Sequence, residues 1–263
     1  MESALSAEAA ADFLRGCRSA EVTLIGRSAP VRPGKGGTAA QALRHLRRSG
    51  PRLLPFLAVN YALPRWAGRV LRSPGGALAA AAAARGIRMV EVRDVNGPDA
   101  AAAIRDAAPD LLVSFHFDQI FAPETLELAP GGGINVHPSL LPCHRGPVPT
   151  LWALAEEKPS FGVTVHRLAP RIDAGPILAQ VAVPLPDGIT ASAAARRLHG
   201  EGAALLGCVL DRMADGREEP PREAPVLPYC PFPPRAVLRD LARRGRRTVD
   251  LADLRAALRV RIG

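Results

Sequence analysis

Six short apolar runs alternate with stretches of helical character, and few folds accommodate such an order. Glu21 to Ile25, Ile87 to Val92, Leu111 to Phe115, Gly133 to His137, Phe161 to Leu168 and Ile177 to Val183 read as strands. Thr38 to Arg48, Ala77 to Ala84, Asp99 to Ala107, Pro123 to Leu128 and Val148 to Glu157 read as the helices between them, and Thr190 to Met213 as a long final one. Strand and helix in turn predict an α/β class with a doubly wound, mostly parallel sheet. The expected divisions are an N-terminal helix within residues 1–20, the sheet domain over 21–216, and a Pro/Arg-rich C-terminal extension with short helices over 217–263.

Open sheets of this kind bind ligands at the carboxyl ends of their strands. One such end lies inside Gly131 to Pro147, GGGINVHPSLLPCHRGP. Asn135 and His137 are two apart, so the pleat sends both side chains to one face, while Ile134 and Val136 face the other. Polar groups on an apolar strand are costly to bury without partners or a task. A third polar group, Asp173, follows in the turn of RIDAGPIL, ahead of the permissive Gly175. If Asp173 approaches His137, the three groups suit attack on a carbonyl. The amide donates to a developing oxyanion, the imidazole moves a proton, and the carboxylate orients it.

The formal net charge of +9 suggests an acidic partner, yet Lys35 and Lys158 are the only lysines in an Arg-, Ala-, Gly- and Pro-rich chain. Compositional bias explains that as well as nucleic-acid binding does, and nucleic acid is disfavoured as a partner. Cys17, Cys143, Cys208 and Cys230 form no C-x-x-C pair, which points to a reduced, cytoplasmic setting with neither disulfide framework nor zinc site. His137, Cys143 and His144 imitate a metal site but follow no zinc spacing, so no metal is expected. The glycine-rich Pro33 to Thr38 lacks both G-x-G-x-x-G and Walker spacing and reads as a plain turn. Arg52 to Arg72 reads as two packed helices broken near Pro64, with membrane docking the less favoured alternative. The basic helices after Arg235 suit a solvated face or the interface of a homodimer. His116 reads as a pocket wall or a hydrogen-bonder at a strand end.

INVHPSLLPCHRGPVP, GVTVHRL and IDAGPILAQ together resemble the signature of the folate-dependent formyltransferase superfamily, which includes glycinamide ribonucleotide, methionyl-tRNA and sugar N-formyltransferases. The resemblance spans roughly Glu21 to Gly216 and implies a Rossmann-like formyltransferase fold. It also implies catalytic roles for Asn135, His137 and Asp173, with 10-formyltetrahydrofolate as co-substrate and a tetrahedral intermediate in passing formyl to an amine. Folate contacts carried over from the family fall on Phe117, Asp118, Gln119 and Ile120, on Leu140, and on Ala169 and Arg171. Ser139, Arg145 and Gly146 would face the acceptor. The basic tail is too short and helical for the β-barrel of the transfer-RNA enzyme, so a small-molecule amine such as a sugar nucleotide is the expected acceptor. A formyltetrahydrofolate hydrolase and a non-catalytic folate- or lipid-binding protein remain the alternatives.

Overall fold

In the computed structural model the described residues are 3–29, 37–70 and 76–259. The glycine-rich turn at Pro33 therefore lies outside them, as does the end of the Arg52 to Arg72 segment. Helix α1 (Ala7–Gly16) leads into β1 (Leu24–Ser28), followed by α2 (Thr38–Ser49). After a 3-10 turn at Pro51–Leu53 come α3 (Leu54–Leu57), a π turn (Ala58–Ala62) and α4 (Leu63–Val70). Then follow α5 (Gly76–Ala84), β2 (Arg88–Val92), α6 (Pro98–Ala107), β3 (Leu112–Phe115), α7 (Pro123–Leu126) and β4 (Gly133–His137). The chain continues through α8 (Pro149–Ala155), β5 (Gly162–Arg167), β6 (Ile177–Ala182) and α9 (Ala191–Ala214) to α10 (Arg235–Arg243) and α11 (Leu251–Arg259).

The α/β expectation holds. Strands β1 and β2 pair in parallel, and β3 pairs in parallel with β4 in a four-stranded sheet of order β3-β4-β5-β6. Beyond β4 the sheet turns antiparallel, with β5 and β6 running back against their neighbours. The side chain of Gln119 ties the two sheets together. Its Nε2 donates to Ser28 Oγ at 3.0 Å and to Val92 O at 3.1 Å, while its Oε1 accepts from Val95 N–H at 2.9 Å.

Two expectations need correction. The first strand begins at Leu24, not Glu21, since its pairing with the neighbouring strand starts at Leu24↔Arg88. Nor does the helix after Pro51 break at Pro64. Leu63 N–H bonds to Ala58 O across the π turn, so the widened turn precedes the proline and the helix runs on.

β4 is buried along its whole length. Ile134 and Val136 pack with Val165 under Leu206, Val209 and Leu210 of α9, so the apolar face of the strand points at that helix as its alternation requires. Gly202 makes the packing close, since a Cβ there would lie 2.6 Å from Val136 Cγ1. Thr190 caps the helix by accepting from Ala193 N–H at 3.0 Å. The opposite face of β4 therefore presents Asn135 and His137 at the end of the sheet.

Candidate active site

Asn135, His137 and Asp173 converge. Asp173 Oδ2 stands 3.7 Å from His137 Nδ1, and Asn135 Nδ2 donates to Asp173 Oδ1 at 3.4 Å. His137 Nε2 lies 3.1 Å from His144 O, an acceptor only, so Nε2 donates to that carbonyl and Nδ1 faces the Asp173 carboxylate without a hydrogen bond. Both β4 residues are buried, and the Asp173 side chain is only 12% exposed.

A fourth residue completes the cluster. β4 and β5 pair with Asn135 opposite His166, which places His166 Nε2 3.1 Å from Asn135 Nδ2. His166 Nδ1 lies 2.8 Å from Arg167 O, an acceptor only, so Nδ1 carries the proton and Nε2 accepts from the asparagine. Burial, reinforced by the charge of His137, pushes the His166 pKa down to about 4, against the raising effects of Asp173 and the Arg167 carbonyl. A neutral imidazole with a fixed tautomer thus sets which way the Asn135 amide points. The signal for His166 was present in GVTVHR, where Thr164 and His166 share one pleat face, but a lone His in a β-branched strand also fits a structural core residue.

Arg145 is buried and reaches inward. Its Nε donates to Ile172 O at 2.9 Å and Asp173 O at 3.2 Å, and its terminal nitrogens bond Ile172 O and Leu227 O. Gly146 N–H donates to Asp173 Oδ2 at 2.8 Å. Arg145 and Gly146 therefore hold the Asp173 turn, where Asp173 itself adopts φ 48°. Ser139 is also turned inward, donating to Cys143 O at 2.8 Å. Thr164 pins the same loop, donating to Ser139 O at 2.7 Å and accepting from Leu141 N–H at 3.1 Å.

Gly146 has φ 132°, and a Cβ on it would stand 2.2 Å from Cys230 O, whose own N–H bonds Arg145 O at 2.7 Å. Gly146→Ala should therefore cost more than about 1 kcal/mol of stability and lift the 227–231 segment from the loop. Denaturant unfolding together with protease susceptibility of that segment measures both effects.

The remaining predicted contacts are more dispersed. Ile120 is 56% exposed, and Phe117 packs on Phe121 with ring centroids 5.6 Å apart. Asp118 is exposed, Leu140 is half-buried over Gly162, and Ala169 and Arg171 flank the Asp173 turn. His116 ends a strand as a hydrogen-bonder, with Nδ1 2.7 Å from Ser6 Oγ and 3.1 Å from Ser3 Oγ. A cleft of about 540 Å³ opens beside the loop, lined by His144, Trp152, Glu156, Val237 and Asp240 among others. In it His144 Nε2 lies 2.9 Å from Glu156 Oε1. Among the described residues no group of three or more His, Cys, Asp or Glu side chains is placed to hold a metal ion.

Comparison with known proteins bears on the family and the fold. Residues 60–210 match the family described as "Formyl transferase". The chain is 37% identical over 188 residues to a methionyl-tRNA formyltransferase of Anaeromyxobacter dehalogenans, covering 72% of this chain and 59% of that protein. It is 37% identical over 155 residues to a second protein of that name, from Chloroflexus aggregans, covering 59% of this chain and 50% of the relative. The chain thus spans between half and three-fifths of the length of the curated relatives it matches. Among solved structures, glycinamide ribonucleotide transformylase 1 from Symbiobacterium toebii superposes with a TM-score of 0.50 at 26% identity, over 55% of this chain and 72% of that one.

Proposed function

The chain belongs to the formyl transferase family, whose match covers more than half of its length, and from that premise we propose that it passes a formyl group from 10-formyltetrahydrofolate to an amine. The observation that carries the reading is the cluster of Asn135, His137 and Asp173 at the end of β4, with His166 fixing the amide. Bound beside the cluster, the folate would supply an activated formyl carbonyl. The loop after β3 suits a flat heterocycle, because Ile120 offers exposed apolar surface and Phe117 a half-buried ring. Leu140 and the Ala169–Arg171 turn would close on it from the other side of the site.

The side chains then divide the work. Asn135 Nδ2 is held by His166 Nε2 at 3.1 Å and only weakly by Asp173 Oδ1 at 3.4 Å, so one amide hydrogen is free to move to an oxygen that gains charge. Such a donor acts through preorganisation, and the neutral His166 supplies it. His137 is the remaining imidazole of the cluster; it takes the proton that the attacking amine must lose, and the same proton would then pass to the folate nitrogen that departs as the intermediate collapses. Asp173 orients it, and is itself oriented by Gly146 N–H and by the Arg145 grip on its backbone.

A small-molecule amine, a sugar nucleotide or similar, is the acceptor we favour. The cleft beside the loop, about 540 Å³, is of a size that holds a small molecule. A second reading takes an aminoacylated transfer RNA, on the names of the two relatives. Purified protein given 10-formyltetrahydrofolate and a panel of sugar-nucleotide amines, glycinamide ribonucleotide and methionyl-tRNA decides between them. Tetrahydrofolate release that depends on a small amine is the expected result. Dependence on methionyl-tRNA alone replaces the acceptor, release without any amine makes the protein a hydrolase, and no release in any mixture overturns the reading.

A further inference from the structure

The helical run from the 3-10 turn at Pro51–Leu53 through α3 and the π turn to α4 has two opposed faces. Leu53, Phe56, Asn60, Pro64 and Ala67 are buried, while Leu54, Ala58, Ala62 and Trp66 are exposed. Steps of four drift by about 40° each on a regular α-helix, and the wider π turn at Ala58–Ala62 takes up part of that drift, keeping the exposed residues in one stripe. Trp66 is 61% exposed, an unusual position for the residue with the largest apolar surface. The neighbouring helices extend the pattern. α11 packs against α4 and the π turn and exposes Leu251, Leu254 and Leu258, while α2 packs against the 3-10 turn and exposes Leu43. Half of the large apolar side chains exposed among the described residues lie on these helices.

Charge follows the same part of the chain. Between Glu21 and Glu91 there are twelve basic residues and no acidic one, more than enough to account for the whole net charge of +9. Arg47 and Arg52 are exposed on the helices of the patch, and Arg65 is half-buried one residue from Trp66.

From this coincidence of an apolar stripe and one-signed charge, we propose that the face formed by residues 43–66 docks on an anionic lipid surface, with Trp66 and Leu54 entering the headgroup boundary and the arginines meeting lipid phosphates. A second copy of the chain fits less well, because a self-complementary contact would bring two basic patches together. Nucleic acid also fits less well, because leucine and alanine gain little against a sugar–phosphate backbone, and the patch offers a single ring for stacking. A bilayer interface uses both components, since the apolar face and the basic residues each contribute to binding. Among the described residues no helix is long and apolar enough to cross a membrane, so the contact is peripheral.

Co-sedimentation of the intact protein with vesicles tests the proposal. Binding is expected to phosphatidylcholine vesicles containing phosphatidylglycerol and not to pure phosphatidylcholine, and to weaken with salt. Arg47→Glu with Arg52→Glu should lower the partition by about fivefold or more, and Trp66→Ser with Leu54→Ser should lower it comparably. All four positions are exposed, so thermal unfolding of the variants should match the wild type and exclude misfolding as the cause. Three results overturn the proposal: no vesicle binding by the wild type, binding that the variants leave intact, or a concentration-dependent dimer that Trp66→Ser abolishes in place of vesicle binding. RNA binding that Arg47→Glu removes while vesicles remain unbound overturns it as well, in favour of nucleic acid.

Discussion

Asn135→Ala should lower formyl transfer by about a hundredfold to a thousandfold, with kcat and kcat/KM falling together. That pattern marks an interaction made in the transition state and absent from the ground state. The structural reason is the dedication of the amide: its partners are a neutral imidazole and a carboxylate at the long distance of 3.4 Å, and neither competes strongly with a developing oxyanion. His166 separates this account from simple loss of packing. Its Nε2 needs the asparagine proton, so His166→Phe leaves the amide free to rotate and should reduce kcat while the loops proposed to hold the folate keep KM near the wild-type value. His137→Ala should abolish turnover outright. Steady-state kinetics on the accepted amine measures all three, and wild-type kcat in Asn135→Ala or His137→Ala would end the mechanism. Stability should fall modestly in Asn135→Ala, by about 1–3 kcal/mol, because the buried His166 Nε2 loses its donor.

The cluster was partly legible in the sequence, and the line between the legible and illegible parts is physical. Asn135 and His137 could be paired because a strand has a period of two and one residue of separation decides the face. Asp173 could be joined to them through the resemblance carried by IDAGPIL, but its distance from His137 could not be read. His166 escaped because its role depends on cross-strand register, Asn135 opposite His166, which β5 acquires only by running antiparallel. Strand and helix in alternation do not announce that reversal.

Arg145 shows the same limit in another form. An arginine in a loop beside a site reads as a contact for the substrate, and only the positions of Ile172, Asp173 and Leu227 reveal that its donors go to main-chain carbonyls. Gln119 likewise sits in the segment carried over as folate-binding, yet its side chain bonds Val95, Ser28 and Val92. Both residues hold the framework of the site. The helices were placed well where caps were explicit, as at Thr190, and less well at Pro64, where a π turn kept the helix going.

Lowering the pH from 7 towards 4 should unfold the protein well before its carboxylates alone would do so. Three histidines are buried with depressed pKa values. Burial, opposed by the hydrogen bond to Ala195 O and aided by the charge of His137, pushes His199 from 6.5 down to about 4. Burial does the same to His166, also to about 4. For His116 burial and then the charges of His199 and the N-terminus push it well below its ordinary value. His166 and His199 bind their protons in the unfolded chain near pH 6.5 and in the folded one only near pH 4, and His116 is shifted in the same direction. The unfolded state therefore holds more protons across that window, and stability rises with pH through it. The contribution is fully present above the unfolded pKa and is lost as the pH falls from 6.5 towards 4. For His199 alone the span corresponds to about 3 kcal/mol. Its Nε2 is buried without a partner, and its ring lies 4.7 Å from that of His116, so charging either one places a cation against the other ring. Chemical denaturation at a series of pH values measures the slope, and His199→Phe should flatten it between pH 6.5 and 4 by removing one of the three protons taken up. A stability that stays level from pH 7 to pH 5, or a slope unchanged by His199→Phe, would show that the buried histidines do not control it.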